Sequence, residues 1–174
     1  VPENDAEVVI PPGLEDDPEL MGIFTAAADA SRVAYTELLN RFTEMNWVQR
    51  IRNALDQDRF RLYAQDILAL SDEAIAGRYV ELLLRLQDED GQIVLPDKFI
   101  PPAERYGLMP QIDRWVVEQA FKTLAARRDS GCEPIATCAI NLSGATIGDS
   151  GFIDFLRELQ PRYGLVPQSI CFEV

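Results

Sequence analysis

Apolar residues recur along the chain with three different periods. Tyr35, Leu38, Phe42, Met45, Val48, Ile51 and Leu55 are spaced by three and four, which predicts one amphipathic helix, or two nearly collinear ones, over about 31–56. That stripe either lies on a domain or pairs with a second copy of the chain as a signalling coiled coil. Before it, Asp17 followed by Pro18 has the form of an N-cap with proline at the first helical position. After it, RFRLYAQDILAL (59–70) predicts a strand, SDEAIAG (71–77) a turn, and RYVELLLRLQ (78–87) a second strand. A helix over 78–87 would join Glu81 to Arg85 at i,i+4, but Val80 and four leucines leave it no polar face.

DEDGQ (88–92) reads as a solvated turn, with Asp88, Glu89 and Asp90 facing water. Helices are expected near 96–106, closed by Gly107, and from Met109 or Pro110 to about Arg128. TCAINLS (137–143) predicts a strand, the stretch 146–164 a helix closed by Gly164, and SICFEV (169–174) another strand. From the second strand onward the order is β, helices, β, α, β, the mark of a mostly parallel sheet with crossover helices. The first connection differs. Seven residues cannot hold a parallel crossover, so 59–70 should pair antiparallel with 78–87.

Residues 1–17 are acidic and proline-bearing and are read as a linker or lead-in, which divides the chain into 1–45 and a domain over 46–174. The 47% hydrophobic content over 174 residues supplies a sizeable core. A net charge of −13 argues against a basic surface for nucleic-acid polymers. The absence of histidine rules out histidine-based catalysis and histidine metal ligation, so a metal is expected on oxygen ligands. Cys132, Cys138 and Cys171 lack CxxC spacing and fit free thiols buried in the core of a reduced, cytoplasmic protein. Trp47 and Trp115 are read as packing residues, and no apolar run is long enough to contact or span a membrane.

The strand reading of 78–87 puts Glu81, Leu83 and Arg85 on one face and Leu82, Leu84 and Leu86 on the other. Asn141 and Glu173 stand at the ends of two further strands. Carboxylate, amide and carboxylate oxygens converging at one end of a parallel sheet would suit magnesium or manganese. A buried ion-pair network is the alternative.

Several separated motifs, LYAQDI, ELLLR, FIPPAERYGL, IDRWVVEQA, INLSG and ICFEV, resemble in order and spacing those of EAL domains, the bacterial cyclic di-GMP phosphodiesterases. The resemblance covers about residues 46–174, and EMNWVQRIRNALDQDRF resembles the segment that joins a GGDEF cyclase domain to an EAL domain. It implies a (β/α)8 TIM-like barrel with an antiparallel first strand, of which this sequence would supply roughly the first half. It implies hydrolysis of cyclic di-GMP to pGpG with two Mg2+ or Mn2+ ions, or, in a degenerate module, cyclic di-GMP reception without cleavage. A homodimer and an upstream GGDEF domain are implied partners. By position, Glu81, Asn141 and Glu173 match metal ligands, with Glu81 catalytic in that role. Arg85 matches the arginine that grips a substrate phosphate, Gln65 the glutamine lining the substrate groove, and Asp113 an aspartate that reads a guanine edge.

Departures are few. Leu82 stands where the family signature has alanine, and Ala64 and Asp66 flank Gln65 where an aromatic residue and a proline are usual. The family's paired aspartates, lysine and later acidic ligands fall beyond Val174. The expectation is therefore that residues 1–174 by themselves lack phosphodiesterase activity and expose an open sheet edge at SICFEV.

Overall fold

The computed structural model describes residues 18–70 and 77–174. Its contacts divide the chain into two units, Val1–Met45 and Asn46–Val174. Helix α1 is a single α-helix, Pro18–Asp56, the first of the two alternatives expected over 31–56, and it begins earlier in the chain. Asp17, expected to cap it, lies outside the described residues. The apolar stripe is only partly used. Tyr35 and Met45 are exposed, whereas Ile51 and Ala54 are fully buried and Trp47, Val48 and Leu55 pack on the core of the second unit. Hydrophobic burial, not helix propensity, thus gives the last three turns of α1 their place.

The second unit is an α/β structure around one sheet. Strands β1 (Phe60–Ile67), β2 (Arg78–Gln87), β4 (Ile135–Asn141) and β5 (Ile170–Glu173) lie in the order β1-β2-β4-β5, and the two-residue β3 (Ile93–Val94) pairs with β2. β1 and β2 are antiparallel, and β2, β4 and β5 run parallel. The short connection between β1 and β2 demands that arrangement. Ser71–Ala76, expected to be a turn, lie outside the described residues. Gly77 ends that connection at φ 95°, and a Cβ there would come within 2.6 Å of the Ala136 Cβ on β4. Glycine is required at this point on both counts.

Helix α2 (Pro96–Arg105) is followed by Gly107 at φ 66°, and α3 spans Met109–Asp129. The region 146–164, expected to contain a helix closed by Gly164, contains α5 (Ser150–Tyr163), and the one-turn α4 (Gly144–Ile147) comes just before it. Asp149 caps α5, and Gly164 closes it in the left-handed conformation. A short 3-10 turn, Pro167–Ser169, leads into β5.

Alternation sorts the sheet into two faces. One carries Phe60, Val80, Leu86, Cys138 and Ile140, all at most 1% exposed, under Phe99, Ile112, Val117 and Phe152 from the helices. Phe60 meets Phe99 edge-on at 5.8 Å and Trp115 at 5.4 Å. Trp47 and Trp115 are packing residues, and the Trp115 indole also donates to Asp58. Asp88 accepts from the backbone amides of Asp90 and Gln92, which is the side-chain turn expected of DEDGQ. The cysteine reading needs correction: all three are free thiols, but only Cys138 is buried, while Cys132 and Cys171 are exposed. Cys132 follows Gly131 beyond the end of α3, and Cys171 alternates onto the face of β5 that the helices do not cover.

Candidate active site

The second face of the sheet collects the polar residues. Register aligns Gln65 with Glu81 across β1 and β2, Glu81 with Ala139 across β2 and β4, and Asn141 with Glu173 across β4 and β5. Residues in register share a face, and so do residues two apart along a strand. Gln65, Glu81, Arg85, Asn141 and Glu173 therefore all stand on the side away from the helices. The Asn141 Nδ2 donates to Glu81 Oε1 at 2.8 Å, so two residues 60 positions apart in sequence meet directly. Glu173 is on the adjoining strand, opposite Asn141. Neighbouring strands are about 4.8 Å apart, which sets the three oxygen-bearing side chains on consecutive strands.

One detail of the expected layout changes. Asn141 and Glu173 do end their strands, but Glu81 is the fourth residue of a ten-residue strand. β2 extends past the end of β4, and this overhang carries Arg85 beyond the Glu81–Asn141 contact. The Arg85 Nη1 donates to the Leu84 carbonyl at 2.8 Å, and its guanidinium lies 5.7 Å from the Tyr63 ring centroid. Among the described residues the guanidinium makes this one hydrogen bond, and its remaining N–H donors can serve a ligand. Tyr63 precedes Gln65 by two residues and shares its face, a neighbour that the sequence reading did not single out.

Asp113 is not brought to this face. It is 3% exposed on α3, and its Oδ2 accepts from the Ser143 amide at 2.9 Å, the Ser143 Oγ at 2.7 Å and the Thr146 Oγ1 at 2.6 Å. These three donors occupy Oδ2 alone, and the expected role at a guanine edge rests on the motif resemblance and would fall to Oδ1. The sequence carried a signal for the burial: Met109, Ile112, Val116, Val117 and Ala120 are the buried stripe of α3, and Asp113 falls within it.

The flanking departures also have physical accounts. Leu82 is on the helix-covered face, packed against the core, so the ELL signature changes packing and leaves the Glu81 side untouched. Asp66 forms a two-pronged ion pair with Arg78, whose Nε and Nη2 donate to its two carboxylate oxygens. Arg78 is the main cause of a carboxyl held below its ordinary range, through the side-chain hydrogen bond.

Carboxylate and amide oxygens on adjoining strands are the hard donors that Mg2+ or Mn2+ prefers. Glu81, Asn141 and Glu173 fit such a cation by donor type and by placement on one face. Among the described residues, no group of three or more acidic or thiol side chains gathers closely enough to form a metal site of its own. No helix among them is long and apolar enough to cross a membrane.

Comparison with known proteins places this geometry. The EAL domain profile matches residues 48–174. The chain is similar to a protein named cyclic di-GMP phosphodiesterase PdeB of Shewanella oneidensis, at 34% identity over 138 residues, 79% of this chain and 16% of that protein. A stretch of 82 residues, 45% of this chain, is 51% identical to 32% of a protein named flavin-dependent thymidylate synthase of Mycolicibacterium gilvum. That match covers too little of the chain to define a family. The solved FimX EAL domain of Pseudomonas aeruginosa, bound to c-di-GMP, superposes with a TM-score of 0.64 at 30% identity, over 72% of this chain and 48% of that one. The chain thus spans about half of that solved domain and under a fifth of PdeB. With the profile matched from Val48 to the last residue, and a sheet in which β1 runs antiparallel to the parallel set β2, β4 and β5, the chain belongs to the EAL domain family and its sheet to a TIM-like barrel fold.

Proposed function

We propose that the protein containing this chain binds cyclic di-GMP and hydrolyses it to pGpG with Mg2+ or Mn2+. The observation that carries the proposal is the meeting of Asn141 with Glu81 at 2.8 Å, beside Glu173 and on the same face as Arg85. PdeB, named for this activity, and the FimX domain, solved with this dinucleotide, support the choice of substrate. The homodimer and upstream GGDEF domain implied by the motifs belong to the same proposal.

The residues divide the work. Glu81, Asn141 and Glu173 would hold the cations through oxygen. When bound, those ions supply Lewis-acid charge and an activated water for cleavage of the phosphodiester. Arg85 binds a phosphate oxygen pair through its planar fork, steadied by the Tyr63 ring and the Leu84 carbonyl. Gln65, exposed on β1 opposite Glu81, borders the same groove and can hydrogen-bond the dinucleotide. Bound cations also reverse the local field that a chain of net charge −13 presents to a dianion.

A second reading keeps the binding and drops the chemistry: a receptor that holds cyclic di-GMP intact. It is favoured by the placement of Arg85 and Tyr63, which serves binding whether or not the ions are held. The test uses the full-length protein with Mn2+, measuring pGpG release by chromatography and affinity by calorimetry. Hydrolysis that is lost in Glu81→Ala and Asn141→Ala, with a retained melting transition, supports the enzyme. Binding without cleavage supports the receptor. Cleavage in both variants within a few-fold of the parent would remove the ligand assignment.

A further inference from the structure

The three hydrogen bonds on Asp113 Oδ2 have a consequence for the Glu81–Asn141 contact. Asn141 ends β4, and the two residues after it are tied down from opposite sides. The Leu142 amide donates to the Glu173 carbonyl at 2.8 Å, which fastens the turn to β5. The Ser143 amide and hydroxyl both donate to Asp113 Oδ2, which fastens it to α3. Thr146, fully buried, donates its hydroxyl to the same oxygen, and Ser143 Oγ accepts from the Thr146 amide at 3.3 Å as the cap of α4.

A buried carboxylate is costly unless its hydrogen bonds compensate, and here three donors converge on one oxygen. All three are neutral groups. Remove the acceptor, and the Ser143 amide and two hydroxyls lose their partner beneath the surface, two residues from Asn141. An error of about 1 Å in the position of a catalytic group costs on the order of a hundredfold in rate.

We propose that Asp113 is a positioning residue: by gathering Ser143 and Thr146 it fixes the turn after β4 and so sets where the Asn141 amide stands against Glu81, and with it the affinity of the site for a divalent cation. The part concerning the cation rests on the phosphodiesterase reading; the part concerning the turn does not. Because the donors are neutral, the role requires an acceptor and not a charge. Asp113→Asn should therefore restore most of what Asp113→Ala loses.

The experiment compares Asp113→Ala, Asp113→Asn and Thr146→Val in the full-length protein by two readouts. The first is the Mn2+ concentration giving half-maximal cleavage of cyclic di-GMP, together with KM for the dinucleotide. Asp113→Ala should raise the former by roughly tenfold or more, whether or not KM also changes. The second, in metal-free protein, is amide hydrogen exchange over Leu142–Ile147 and the NMR signal of the Asn141 side-chain amide. Exchange there should quicken and the Asn141 signal shift, while amides of Val80 and Leu86 stay protected. Asp113→Asn should lie near the parent in both, and Thr146→Val between. Unchanged exchange and Mn2+ response in Asp113→Ala would overturn the proposal, and so would equal loss in Asp113→Ala and Asp113→Asn. If the alanine variant does not fold, Thr146→Val carries the same comparison. A parent protein that does not cleave the dinucleotide sinks the phosphodiesterase reading alone, and the exchange data then decide on Asp113.

Discussion

Leu82 offers the sharpest separation of packing from chemistry, because it lies next to Glu81 in sequence and on the other side of the sheet in space. It packs with the core and borders a cavity of about 230 Å³ that Val80, Ala120, Leu124 and Cys138 also line. Leu82→Ala would restore the residue usual at this position of the signature. It deletes three carbons, worth about 2.4 kcal/mol at about 0.8 kcal/mol each if all were fully buried. Leu82 is only partly buried, which lowers the loss to about 1.5–2 kcal/mol. Native-state hydrogen exchange across β2 and β4 reads that loss directly, as a roughly 10–30-fold acceleration at the most protected amides. Cyclic di-GMP affinity and cleavage should stay within about twofold of the parent, since no atom of the polar face is removed. A tenfold change in either function with unchanged exchange would refute the assignment of Leu82 to packing, and with it the division of the sheet into two roles.

Arg85→Ala should weaken cyclic di-GMP binding by about 1.5–3 kcal/mol, or roughly 10–150-fold by calorimetry, the range for hydrogen bonds to a charged group. Unchanged affinity would make Arg85 a structural partner of Tyr63 instead. Burial pushes the Cys138 thiol up to about 11, so at pH 8 about 0.1% is thiolate. Iodoacetamide followed by mass spectrometry should label the exposed Cys132 and Cys171 and leave Cys138 unmodified until the protein unfolds. The Arg114 hydrogen bond, aided by the Gly151 amide, holds the Asp149 carboxyl below its ordinary range. Its contribution to stability is thus complete above the ordinary carboxylate value and is lost as pH falls through the lowered one. Thermal melts between pH 7 and 3 should show Asp149→Asn, which keeps a capping oxygen, closing its deficit against the parent as the pH drops. A deficit independent of pH would sink that account.

Much of this architecture could be read from the chain because the signals were local. YVELLLRL alternates only as a strand, and that reading alone assigned Glu81 and Arg85 to one face and Leu82 to the other. The seven-residue connection allowed only an antiparallel first pair. Where the reading fell short, the deciding interactions were distant in sequence. β3 and α4, of two and four residues, are too short to carry a period. The stripe on α1 looked uniform, yet Tyr35 and Met45 are exposed while Val48, Ile51 and Leu55 pack on the core. The hydrogen bonds that hold Asp113 Oδ2 could not be read from its motif. Its partners, Ser143 and Thr146, are about 30 residues away, and only the apolar neighbours of α3 hinted that it points inward.

Aspartate inside and glutamate outside illustrate why residue type alone does not assign a role in this sheet. Glu81 and Asp113 are both carboxylates linked to the same turn, one through Asn141 and one through Ser143. Among the described residues Glu81 accepts one hydrogen bond, from the Asn141 amide, which leaves its second oxygen for other partners. Asp113 spends one oxygen on three donors under the surface, where water cannot replace them. A half-buried carboxylate with spare lone pairs can exchange a hydrogen bond for a cation at little cost, whereas a buried one with three donors on one oxygen cannot leave them without stranding them. The first arrangement suits a residue whose partners change when a ligand binds. The second suits one that must hold the frame still while that exchange happens, and β4 joins the two.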